Sequence, residues 1–197
     1  PNAVCGLEIA RTKLRMSVGE LEGGEFRITG ASEVDCRGGI KNGAIIDLDA
    51  ITEAITQLVD KTSQISGSRI NSAYINLSSA NAKQEIVNSV ITLPQRGCEI
   101  TQKNIESLIE SCKIVSIPLE RQLLYLLPVE YTVDGQDGVK DPAGLCGSRL
   151  EARILIVTVP FNQAHNLVKA ANSAGLEVEE IILSPLANAA SALNLEE

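Results

Sequence analysis

The sequence predicts an α/β fold interrupted by a smaller inserted subdomain. Three observations carry that expectation. Apolar residues alternate at strand period through the N-terminal segment, a capped helix then precedes the apolar run "SAYINL", and between residues 82 and 158 the rhythm changes to strand, helix, strand, strand before helix and strand resume.

Taken in order, Ala3 to Ile9 is a nearly continuous apolar run, which predicts a strand buried on both faces. Leu14, Met16 and Val18 alternate with Arg15, Ser17 and Gly19, a second strand. After the turn-forming "ELEGGE", Phe26 and Ile28 open a third, so the chain begins as an antiparallel meander. The loop "DCRGGIKNGAII" leads to Asp47, the expected N-cap of a helix carrying Leu48, Ile51, Ile55, Leu58 and Ile65 at helical spacing and ending at Gly67. "SAYINL" (72–77) is expected to return parallel into the sheet.

In the inserted stretch, "QEIVNSVITL" reads as a strand. Thr101 caps a helix with Ile105, Leu108, Ile109, Cys112 and Val115 on one side. "QLLYLLPVEYTV" is a long strand whose Pro128 belongs at an edge or bulge. The loop "DGQDGVKDPAGLCGS" separates it from the strand "RLEARILIVTV". Beyond the insertion, "NQAHNLVKAANSAG" is a helix stopped by Gly175, "LEVEEIIL" a strand, and Ser184-Pro185 the start of a last helix.

Composition narrows the function classes. The chain has 197 residues, 44% hydrophobic and 21% charged, enough for a buried core. Trp is absent and aromatics make up 3%, which argues against base stacking as a mode of action. A net charge of −8 without a basic run argues against nucleic acid or anionic lipid as partners. No apolar stretch approaches the ~18 to 20 residues of a membrane span, and no secretory leader is visible, so a soluble protein is expected. Cys5, Cys36, Cys98, Cys112 and Cys146 are odd in number and lack a C-x-x-C, which points to small buried apolar residues in a reducing cytoplasm. The first residue is Pro, so the sequence is expected to be a trimmed piece of a longer chain.

Four stretches are more specific: "GLEIARTK" (6–13), "CRGGIKNGAIIDLDA" (36–50), "PVEYTVDGQDGVKDPAGLCGSRLEARILIVT" (128–158) and "AGLEVEEIILSPLANAASAL" (174–193). Together with the element order they resemble the FtsA family of bacterial cell-division proteins, a branch of the actin/Hsp70-like ATPases, nearly end to end. The resemblance implies an actin-like, ribonuclease-H-like subdomain 1A over residues 1–81 and 159–197, with a strand-helix-strand-strand (SHS2) subdomain 1C inserted at 82–158. It implies a scaffold rather than an enzyme, at most a weak ATPase when full-length, that tethers the FtsZ ring to the cytoplasmic face of the inner membrane. The FtsZ and membrane contacts lie outside this stretch. Subdomain 1C would serve filament self-association and contacts to later divisome proteins, and only half of an ATP cleft would remain, with no nucleotide expected to be held. A pilus-assembly actin-like component and an ATP-dependent phosphotransferase of the same superfamily are the alternatives. The phosphotransferase needs a catalytic acid and a second glycine-rich loop not present in these residues.

In such proteins the first hairpin holds the phosphates, which places Glu8, Ala10, Arg11, Thr12 and Lys13 as cofactor-binding candidates. Phosphate binding by a tight hairpin needs backbone N–H groups and no Cβ in the way, hence the usual glycine. Ala10 adds that Cβ. Glu8, just before the turn, is placed to hold Mg²⁺ through water, since a hard cation prefers oxygen ligands. Thr12 and Lys13 match the family's hydroxyl and lysine, whereas Arg11 replaces a small residue and supplies a cation of its own.

Other residues read more plainly. His165, the sole histidine, lies on the polar flank of its helix with no nucleophile motif beside it, and is expected to be solvated. Asp134, Asp137 and Asp141 lack the spacing and terminal Glu of an EF-hand, so "DGQDGVKD" is expected to be a polar loop. "PQRGCE" (94–99) and "SIPLER" (116–121) bracket the inserted helix as exposed connections open to a partner.

Overall fold

A computed structural model describes residues 3–93, 97–112 and 117–192. The chain divides into two compact units, residues 1–81 with 162–197, and residues 82–161.

The first unit is built on a five-stranded sheet. Strands β1 (Ala3–Ile9), β2 (Lys13–Glu22) and β3 (Glu25–Asp35) form the expected antiparallel meander. The short β4 (Ile40–Lys41) and β5 (Ala44–Ile45) make a hairpin of their own. Helix α1 (Leu48–Ser66) follows, and β6 (Ser72–Leu77) enters parallel to β1. The β4–β5 hairpin lies where the sequence predicts a loop; Asn42 and Gly43 both adopt positive φ, the backbone that an Asn-Gly hairpin turn requires.

Asp47 caps α1 by accepting a hydrogen bond from the Ala50 N–H at 3.0 Å, and Gly67 ends it in the left-handed region at φ 70°. Ile51, Ile55 and Leu58 are fully buried, and α1 packs on β2 and β3, whose inward residues Leu14, Met16 and Val18 are buried as their alternation predicts. Two expectations are corrected here. Ile65, on the predicted apolar stripe, is 53% exposed, and the inward place in that last turn belongs to Thr62, whose hydroxyl bonds the Leu58 carbonyl at 2.7 Å and Ser32 Oγ at 2.6 Å. In β1 only Cys5 and Leu7 are buried; Gly6 and Glu8 face a cavity on the other side of the sheet.

In the second unit, β7 (Lys83–Thr92), β9 (Arg121–Val133), β10 (Gln136–Val139) and β12 (Arg149–Pro160) form a sheet in the order β10-β9-β12-β7. The short β8 (Cys98–Glu99) and β11 (Cys146–Gly147) pair separately. Helix α2 (Gln102–Ser111) starts in a capping box in which Thr101 and Asn104 bond each other's backbone N–H, as the Thr101 cap predicts. Ile105, Leu108 and Cys112 pack with Leu150, Ile154 and Ile156 in the core; Val115 lies outside the described residues. Pro128 sits where, among the described residues, β9 has no partner on its β10 side and where the β9–β12 register shifts, both features that accommodate a strand proline. The stretch predicted as one loop after β9 contains β10 and β11, so it is partly strand.

The chain re-enters the first unit with α3 (Phe161–Ser173), β13 (Glu177–Leu183) parallel to β6, and α4 (Ser184–Ala192). The sheet order is β13-β6-β1-β2-β3. Among the described residues no helix is long and apolar enough to cross a membrane.

Candidate functional site

The carboxyl ends of the parallel strands β1, β6 and β13 lie together, the place where open α/β sheets hold ligands. The β1–β2 hairpin turn belongs to this end. Its backbone is closed by the Ala10 N–H donating to the Lys13 carbonyl at 3.0 Å, and it is tied to the loop after β3 by the Cys36 N–H donating to the Thr12 carbonyl at 2.9 Å. Among the described residues the only non-glycine residues with positive φ are Asn42 and Asp134, so the turn at Ala10 and Arg11 keeps ordinary backbone angles without glycine.

Charge alternates across the meander beside this turn. Glu8 stands opposite Arg15, and Arg15 opposite Glu33. Arg15 Nη1 donates to Glu8 at 2.9 Å, its Nε donates to Glu33 at 3.3 Å, and Lys13 Nζ pairs with Glu33 as well. Hydrogen bonding to Glu8 raises the Arg15 pKa, and the bond from Lys13 holds the Glu33 carboxyl below its usual range. Thus Glu8 and Lys13 already have protein partners, while Arg11 and Thr12 are exposed.

Two cavities flank β1. The larger, about 660 Å³, lies on the sheet face away from α1 and is lined by Glu8, Arg15, Tyr74 and Asn76 together with Ala187 and Asn188 of α4. The smaller, about 360 Å³, sits at the strand ends and is lined by Ala10, Arg11, Asn42, Gly43, Ser78 and Gln163. Glu8 lines both, Ala10 and Arg11 only the smaller, and Thr12 and Lys13 neither. The smaller cavity collects a guanidinium, amides and a hydroxyl, a donor set that fits the oxygens of a polyphosphate.

Asn76 organises this end of the sheet, and sequence reasoning missed it. Its Oδ1 accepts from the Ile9 N–H at 2.6 Å and its Nδ2 donates to Ser184 Oγ at 3.0 Å, while Ser184 Oγ donates to the Leu77 carbonyl at 3.2 Å. One amide therefore fastens the end of β1 to the start of α4. The signal was an amide between the apolar residues Ile75 and Leu77 near the end of the run "SAYINL".

The remaining candidates are structural. Asp134 accepts from the Ser148 and Arg149 N–H groups, Asp137 from Thr132 Oγ1, and Asp141 from the Ala143 N–H, so the three acids hold turns. Among the described residues no cluster of His, Cys, Asp and Glu is arranged to hold a metal ion. His165 is exposed on α3. Cys5, Cys36 and Cys112 are buried as expected, but Cys146 is exposed because it sits on the outer side of the small β8–β11 ribbon. Burial pushes the Cys5 thiol up to about 11. Residues 94–96 of "PQRGCE" and 116 of "SIPLER" lie outside the described residues.

Residues 79–158 match the family model described as the SHS2 domain inserted in FTSA. That stretch of the chain is therefore similar to the SHS2 domain inserted in FtsA. "Cell division protein FtsA" of Pseudomonas aeruginosa is 31% identical over 195 residues, which is 98% of this chain and 46% of that protein. The Streptococcus pneumoniae FtsA is 34% identical over 189 residues, covering 96% of this chain and 41% of that one. The chain thus spans a little under half the length of these FtsA relatives. Among solved structures, one titled "PilM-PilN type IV pilus biogenesis complex" superposes with a TM-score of 0.64 at 16% identity, over 95% of this chain and 49% of the other. That likeness establishes the actin-like α/β fold and nothing more about function.

Proposed function

We propose that this chain is part of an actin-like division scaffold. In that reading the full-length protein tethers the FtsZ ring to the cytoplasmic face of the inner membrane at the division site, recruits later divisome proteins through the SHS2 unit, and associates with itself into filaments. The observation that supports it most is the FtsA likeness of 31–34% identity over 96% or more of the chain, with the SHS2 match inside it. ATP with Mg²⁺ is the switching ligand, and any hydrolysis is slow.

The site residues take roles consistent with this reading. Arg11, which lines the smaller cavity, would supply a cation at the turn; Thr12 and Lys13, which line neither cavity, would add a hydroxyl and an ammonium only by turning towards the ligand, Lys13 giving up Glu33 to do so. Glu8 would be the residue to hold Mg²⁺ through water, in exchange for its ion pair with Arg15. Ala10, which lines the smaller cavity, would keep phosphates further from the turn than glycine would and so weaken the hold. Each exchange swaps a half-exposed ion pair, individually weak, for a contact to a highly charged ligand. Vesicle flotation of the full-length protein with FtsZ tests the scaffold role. FtsZ rising with the vesicles only when the protein is present supports it; FtsZ left in solution while a pilus inner-membrane protein is captured contradicts it.

A further inference from the structure

Among the described residues β7 is the outer strand of the SHS2 sheet. Natural edge strands are commonly blunted by shortness, bulges, proline or charge, any of which discourages pairing with another chain. The opposite edge follows that rule: β10 has four residues and its register shifts against β9. Strand β7 does not. It has ten residues without proline, pairs with β12 in unbroken register from Thr92↔Arg149 to Lys83↔Thr158, and carries its charges, Lys83 and Glu85, at one end. Val87 and Ile91 pack towards the core and Ser89 bonds the Leu108 carbonyl, whereas Ile86 and Val90 on the other face are 53% and 50% exposed.

The edge is complementary to itself. Directly opposed residues of an antiparallel pair share a face of the sheet, so a two-fold pairing of β7 with another β7 centres on a residue rather than between two. Centred on Asn88, the pairing sets Ile86 against Val90 of a second copy in both directions. Asn88 then meets its own counterpart, Gln84 meets Thr92, and no like charges stand opposed. Centring on Val87 or Ser89 sets Asn88 against Ile86 or Val90 instead. The apolar row also continues inward, since Ile86 is opposite Leu155 and Leu155 is opposite Leu127.

We infer that β7 is a homotypic interface, which joins two copies of the SHS2 sheet antiparallel about a two-fold axis at Asn88. The partner is a second copy because the outward pattern satisfies itself. This goes beyond the filament reading, because a two-fold contact closes after two copies while a filament contact repeats. It stands or falls independently of nucleotide and FtsZ.

The test uses the 197-residue chain in a Cys146→Ser background to remove the exposed thiol. Asn88→Cys is expected to give a covalent dimer under mild oxidation, while Gln136→Cys on the β10 edge does not. In sedimentation velocity the parent self-associates, and Asn88→Lys, which opposes two like charges at the axis, weakens the dimer at least roughly tenfold without shifting the thermal melt. A parent that remains monomeric at about millimolar concentration, or an Asn88→Cys chain that cross-links no faster than Gln136→Cys, overturns the inference, as does an edge occupied only by a different protein.

Discussion

Ala10 takes an ordinary negative φ, so its turn does not need glycine for its backbone; what the Cβ changes is how closely an anion approaches. In the full-length protein Ala10→Gly should therefore tighten ATP binding in calorimetry, and an unchanged affinity would mean that Arg11 compensates. On the proposed reading, in which this stretch supplies only part of the nucleotide contacts, the 197-residue chain should bind ATP no more tightly than about millimolar. The thiols give a second check at this scale. Cys146 should react with an aromatic disulfide reagent in the folded protein, a fast phase lost in Cys146→Ser, whereas Cys5 should react only on unfolding. Because the Cys5 pKa rises from 9.0 to about 11 on folding, its contribution is complete below pH 9 and lost as the pH climbs toward 11. That is about 3 kcal/mol, which a Cys5→Ala variant should not lose over the same range. That an antiparallel hairpin forms here was readable from "GLEIARTK" and the alternation after it. Its partners were not, because Glu33 and Asn76 reach it from distant strands.

Among the elements, α1 shows where periodicity is reliable and where it stops. Asp47 and Gly67 mark its ends because each answers a local backbone need, and Ile51, Ile55 and Leu58 fall inward because 3.6-residue spacing keeps them over the sheet. Ile65 fits the same spacing yet is exposed, because Thr62 occupies the inward place in that turn with its hydroxyl satisfied by Leu58 and Ser32. Urea unfolding should separate the two: Leu58→Ala is expected to cost about 3 kcal/mol and Ile65→Ala less than about 0.5 kcal/mol. Equal losses would show that α1 packs differently. The β4–β5 hairpin has its signal in "KNGA", whereas β10 and β11 have none, since segments of four and two residues carry no usable period.

For the whole molecule, the strand-helix-strand-strand rhythm of the insertion was visible because its apolar runs are long, and the compact unit that contains it has its own core. The relation to FtsA covers nearly all of this chain but under half of its relatives, so the scaffold role is a property to be tested on the full-length protein. Depletion of that protein in its own cells is the most direct measurement. Cells that grow several lengths long without septa, and recover when the protein is restored, are the predicted result. Cells that divide at normal length while losing surface pili would contradict the division role.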